Sequence, residues 1–202
     1  SVLFTAFAVG GVANAINMID GFNGLTAGVA LIMLGAFGLI ARQVGDIALA
    51  FSCLVMAASV AGFFVVNWPR GKIFLGDGGA YFLGFALAWI AVLLPERNAS
   101  VSPWTSLLIC AYPITEVGFS IYRRRFLREG YPATQPDAVH LHSLANRRWA
   151  KKLWPNASLT TQNGMTAPLL WLYALLPCSA AVFFYTSFWA TLGALVVSFV
   201  FY

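Results

Sequence analysis

The chain has 202 residues, of which 60% are hydrophobic and only 9% charged, and its mean hydropathy is +0.78. Soluble domains carry about 25% charge, so an ordinary cytosolic globule, a disordered tail and a secreted disulfide scaffold are excluded. Twelve basic residues against seven acidic ones leave a net charge of +5, and in so apolar a chain this points to an integral membrane protein.

A spanning helix needs about 20 apolar residues. Asp, Glu, Lys and Arg are missing from 1–19, 21–41, 47–69, 78–95, 98–115 and 153–202. Membrane β-strands are short and alternate in polarity, so these long runs predict helices. Seven are expected, at roughly 1–17, 23–41, 47–66, 78–95, 103–122, 167–183 and 187–202. They form one all-α polytopic bundle over 1–202, broken at Gly21 and Gly24, Asn67-Trp68-Pro69, Gly76, Gly78 and Gly79, Pro103 and Pro168.

The first helix starts apolar with no basic leader, unlike a signal peptide. It ends in Asn14-Ala-Ile-Asn17-Met-Ile-Asp20-Gly21-Phe22-Asn23-Gly24. Asn14, Asn17 and Asp20 recur at every third position and span an arc of about 120° on a helix. An Asp alone costs about 2.5–3.5 kcal/mol at the centre of a bilayer, so this stripe faces protein or water. Asn side chains can simply join membrane helices. A carboxylate and three amides at a glycine-broken helix end read better as a ligand site, because intramembrane ionisable groups are functional candidates by default.

Between the third and fourth helices lies Gly76-Asp77-Gly78-Gly79. Asp77 can serve as a helix cap. The flanking glycines favour a second reading, in which backbone approaches a phosphate at a helix N-terminus and Asp77 holds a divalent cation. Magnesium commonly takes one or two carboxylates together with substrate phosphates. In the fifth helix Glu116 either pairs with a loop arginine or lines the site. Cys53, Cys110 and Cys178 sit inside apolar runs without CxxC spacing and read as reduced packing residues.

The segment 123–166 differs from the rest. It holds Arg123, Arg124, Arg125, Arg128, Arg147, Arg148, Lys151 and Lys152, eight of the twelve basic residues, and the motif Pro136-Asp137-Ala138-Val139-His140-Leu141-His142-Ser143. Zinc sites want three or four ligands, so His140 and His142 fit phosphate or sugar binding better. The basic residues also suit anionic headgroups. The positive-inside rule puts this basic loop in the cytoplasm. Alternation then turns 18–22, 67–77 and 123–166 inward, with ten basic residues, and 42–46, 96–102 and 184–186 outward, with two. Asp20, Asn23, Asp77, His140 and His142 consequently share one membrane face. The span pattern speaks against nucleic-acid binding.

Three segments, NAINMIDGFNGLTAG (14–28), KIFLGDGGAYFLG (72–84) and PDAVHLHSL (136–144), in this order, resemble the polyprenyl-phosphate N-acetylhexosamine-1-phosphate transferase superfamily. The resemblance implies an enzyme of the bacterial inner membrane, a glycosyl-1-phosphate transferase with its active site facing the cytoplasm. It implies transfer of a sugar-1-phosphate from a UDP-sugar to undecaprenyl phosphate, with release of UMP and a requirement for Mg2+ or Mn2+. By resemblance Asp77 and Asn17 hold the metal, Asp20 orients groups around it, Asn23 contacts uridine, and Asn14 belongs to the substrate site. His140 and His142, with Arg123 and Arg124, hold phosphate and sugar. A homodimer is compatible with this scheme. Asn23, Ser143 and Ala138 depart from residues frequent in the family. Family members also carry adjacent aspartates on an N-terminal inner loop, and this chain has no adjacent Asp pair. It is therefore expected to be the C-terminal part of a longer enzyme, inactive alone. The competing expectations are a transporter of a nucleotide-sugar or lipid phosphate, and a non-catalytic relative.

Overall fold

A computed structural model describes residues 2–127 and 140–202. Every regular element among the described residues is helical. The long helices are α1 (Val2–Ile19), α2 (Leu25–Gln43), α3 (Ile47–Asn67), α4 (Gly76–Arg97), α10 (Ala167–Phe184) and α11 (Phe188–Val200). Between α4 and α10 lie α5 (Pro103–Ile109), α6 (Ala111–Tyr122), a π-helical turn Arg123–Leu127, α7 (Leu141–Ala145), a second π turn Asn146–Ala150, α8 (Lys151–Leu153) and α9 (Leu159–Gly164). Four helical stretches are long and apolar enough to cross a membrane: Leu25–Gln43, Ile47–Asn67, Gly76–Arg97 and Leu159–Phe184.

The expected single helix over 103–122 is instead two, α5 and α6, bent by 76° at Cys110. Pro113 explains the break. Its nitrogen has no hydrogen to offer the carbonyl of Ile109, and its ring crowds that carbonyl. The Cys178 thiol of α10 takes up the Ile109 oxygen at 3.5 Å. In α4, Pro95 leaves the Ala91 carbonyl without an intrahelical donor in the same way, and Ser106 Oγ of α5 donates to it at 2.6 Å.

Packing follows side-chain size. Helix α1 lies against α4 and α6, and α2 against α3 and α10. Gly84 lets α4 approach α1 closely; a Cβ there would stand 2.6 Å from Ala13 Cα. At Gly28 of α2 a Cβ would run into the Trp171 indole. The outer faces are apolar: Phe51, Leu54, Val65, Phe82, Leu172, Leu176 and Phe183 are all exposed. In water such surface would be a liability. In lipid it is the normal outside of a bundle.

The end opposite the site candidates is tied by Asp46. Its carboxylate caps α3 by accepting from Leu49 N–H at 3.1 Å, and it accepts Arg97 Nε at 2.7 Å and Nη2 at 2.9 Å.

Candidate active site at the Asp20 turn

Helix α1 stops at Ile19 and the chain turns through Asp20-Gly21-Phe22-Asn23 into α2. Gly24 adopts φ +76, a left-handed conformation that a side chain would resist. Its N–H donates to Asn67 Oδ1 at 2.6 Å and its carbonyl accepts from Trp171 Nε1 at 3.1 Å. Asn67 Nδ2 in turn donates to the Ile73 carbonyl at 2.7 Å. The turn is therefore fastened to the connection that leads into Asp77.

Asp20 is half-buried at the end of α1. Burial raises its carboxyl above the ordinary 3.8; the nearby Thr26 side chain opposes this, and the charge of Asp77 adds to it. Asp77 is exposed in the first turn of α4, after Gly76 at φ +66 and before Gly78, which faces open space. Asp20 is thus partly desolvated and carries an unfavourable charge interaction with Asp77. A cation between them relieves both costs. Among the described residues no three His, Cys, Asp or Glu side chains gather as a metal-ligand set. The arrangement fits a magnesium-type ion held by one or two carboxylates with substrate oxygens better than a zinc-type cage.

The histidines come to the same turn. His142 is 5% exposed, and a Cβ on Gly21 would be 3.3 Å from its Nε2. The His142 ring lies 5.4 Å from that of Phe22 and stacks on His140 at 5.2 Å. Burial pushes His142 down to about 4, with His140 adding to the shift and Glu116 opposing it. His140 Nδ1 is 2.9 Å from Glu116 Oε1. Of the two alternatives for Glu116, the described residues favour a place in the wall of the site.

Other candidates are placed as follows. Asn17 is half-buried one turn before Asp20, and Asn14 is exposed. Asn23 is buried; its Nδ2 donates to the Pro69 carbonyl at 3.2 Å and its backbone N–H to Asn163 Oδ1 at 2.8 Å. Arg123 is half-buried and Arg124 exposed on the π turn that continues α6. Arg128 and residues 136–139 of the histidine motif lie outside the described residues. Reading the sequence missed Asn67 and Asn163, which fasten the turn. Asn67 stood in a visible break, but nothing local names its partner.

Comparison with known proteins bears on the family. The family model described as glycosyl transferase family 4 matches residues 1–95. A Yersinia pestis protein named undecaprenyl-phosphate alpha-N-acetylglucosaminyl 1-phosphate transferase is 36% identical over 148 residues, covering 71% of this chain and 40% of its own length. Proteins of the same name from Escherichia coli (strain K12) and Salmonella typhi are 35% and 36% identical over the same coverage. The chain spans about 40% of the length of these curated relatives. The family match takes in both the Asp20 turn and the glycine-flanked Asp77, and the chain belongs to glycosyl transferase family 4.

Proposed function

We propose that the protein containing this chain transfers a sugar-1-phosphate, by preference N-acetylhexosamine-1-phosphate, from a UDP-sugar to undecaprenyl phosphate at the cytoplasmic face of the bacterial plasma membrane. An oxygen of the lipid phosphate forms a new bond to the sugar-bearing phosphorus, the bond between that phosphorus and UMP breaks, and UMP leaves. The observation that carries this reading is the His142 ring lying beneath Gly21 and against Phe22 of the Asp20 turn, with the charge of Asp77 acting on Asp20. Its support is chemical. Phosphoryl transfer asks for positioning and charge neutralisation rather than a covalent nucleophile.

In this reading Asp77 and Asn17 hold Mg2+ or Mn2+, and the ion supplies positive charge to the donor diphosphate. Asp20 orients the groups around them from its partly desolvated position. His140, with Arg123 and Arg124, faces phosphate and sugar, and His142 packs beneath, supporting the turn through Gly21. Asn14 lies at the outer edge of the substrate path. Asn23 meets the uridine end while its amide holds the Pro69 carbonyl. Seven spans, with the 123–166 segment on the cytoplasmic side, complete the scheme.

The test is Asp77→Asn in the full-length protein, reading UMP release and lipid-linked sugar formation in membranes. A loss of at least about 100-fold is expected for removing a charge that acts mainly in the transition state. Unchanged synthesis would sink the metal assignment.

A further inference from the structure

Glu116 is the most deeply buried acid among the described residues, at 1% exposure. A buried carboxylate is costly unless its hydrogen bonds are good, and packing α6 against its neighbours does not require an acid there. Its Oε1 accepts from the Leu141 backbone N–H at 3.0 Å and faces His140 Nδ1 at 2.9 Å. Its charge also acts on the tyrosines at 112, 173 and 202. An amide N–H can only donate, so Oε1 is an acceptor. A bare lone pair on His140 Nδ1 would repel it. The proton of the neutral ring therefore sits on Nδ1, and Nε2 is the nitrogen left for a ligand.

We propose that Glu116 is a positioning residue, which locks His140 with Nδ1–H turned inward so that Nε2, left with its lone pair, is presented as an acceptor to a hydroxyl of the substrate's sugar. The lock joins α6 to a residue 24 positions further on, at the point where the basic segment returns to the bundle. The ligand rests on the function proposed above; the tautomer does not. This is the same logic by which a second residue fixes a catalytic or metal-binding imidazole.

The experiment uses 15N-histidine-labelled intact protein in lipid nanodiscs, with the His140 signals assigned by their loss in His140→Gln. NMR then reports which ring nitrogen of neutral His140 carries the proton. In wild type it is Nδ1. Glu116→Gln keeps that tautomer, because the amide oxygen can take both donors. Glu116→Leu releases His140 to the Nε2–H form that free imidazole favours. In turnover, Glu116→Leu lowers kcat by about 10–100-fold with the UDP-sugar KM within about threefold, and Glu116→Gln loses less. A purely structural brace would not move the tautomer. An Nε2–H ring in wild type, or an unchanged ring in a folded Glu116→Leu protein, overturns the proposal. If Glu116→Leu does not fold, the wild-type and Glu116→Gln spectra decide. A locked tautomer in a protein without transferase activity upholds the Glu116 assignment and overturns the functional reading instead.

Discussion

Ser106 Oγ lies 2.6 Å from the carbonyl oxygen of Ala91, the group that Pro95 leaves without a donor inside α4. The hydroxyl is contributed by another helix and is buried. In an apolar surrounding an unpaired carbonyl is expensive, so the proline in α4 and the serine in α5 work as a pair. Ser106→Ala is expected to destabilise by about 1 kcal/mol, and by up to about 2 if no water enters. Ser106→Val, which also overfills the site, should cost more. Reversible unfolding in mixed micelles measures both, and a Ser106→Ala protein as stable as wild type would refute the pairing.

The second prediction concerns the opposite end. Asp46 accepts two bonds from Arg97 and one from Leu49 N–H. The Arg97 guanidinium holds its carboxyl below the ordinary 3.8, with Leu49 and Asn98 adding and burial opposing. The folded value is depressed, so this stabilisation is complete above the ordinary value and is lost as pH falls through the folded one. Asp46→Asn should therefore lower the thermal midpoint at neutral pH, and the gap to wild type should close on acidification below about pH 4. A gap that stays constant with pH would show that the cap alone, and not the ion pair, carries the effect.

Much of this architecture is legible in the sequence, for simple reasons. Charge-free runs mark where helices lie, since a charge inside a bilayer is costly, and Gly24 and Pro69 announce turns through their own backbone limits. The bend at Cys110 escaped because hydropathy carries no information on direction, although Pro113 was in plain view. The donors that repair the proline breaks, Ser106 and Cys178, cannot be deduced locally, and Cys178 read as inert packing. At the site, alternation predicts Asp20, Asp77 and the histidines on one face, and the structure packs His142 beneath Gly21. The partner of Glu116 depended on where a long polar segment returns, which pattern does not encode.

A third prediction links packing to chemistry. Gly84 lies two turns after Asp77 on α4, and its missing Cβ allows α1 to pass; a Cβ would also stand 3.0 Å from the Ala13 carbonyl oxygen. Those are backbone atoms, which do not step aside as a flexible side chain can. Gly84→Val should push α4 from α1 and carry Asp77 away from Asp20. Misplacement by about 1 Å can cost about 100-fold in rate, so a loss of at least tenfold in the proposed sugar-1-phosphate transfer is expected. Gly62→Ala on α3, where a Cβ meets open space, is the control and should leave activity unchanged. Equal activity in both variants would mean that the helix contact does not set the distance between the carboxylates.

The last prediction rests on His142, which lies under Gly21 and against Phe22. Burial is the main reason its value falls from 6.5 to about 4. The folded protein therefore holds this ring neutral over a range in which the unfolded chain would protonate it. Between those two values the unfolded state binds the extra proton, so stability rises with pH and falls on acidification. The full difference corresponds to about 3 kcal/mol, and at pH 5 about 2 kcal/mol should already be lost. His142→Phe keeps an aromatic ring against Phe22 and removes the titration. Its unfolding midpoint should then be much less sensitive to pH between 7 and 5 than that of wild type. Should the two proteins lose stability in parallel over that interval, the ring is not held neutral by its surroundings, and its place beneath the Asp20 turn would have to be reconsidered.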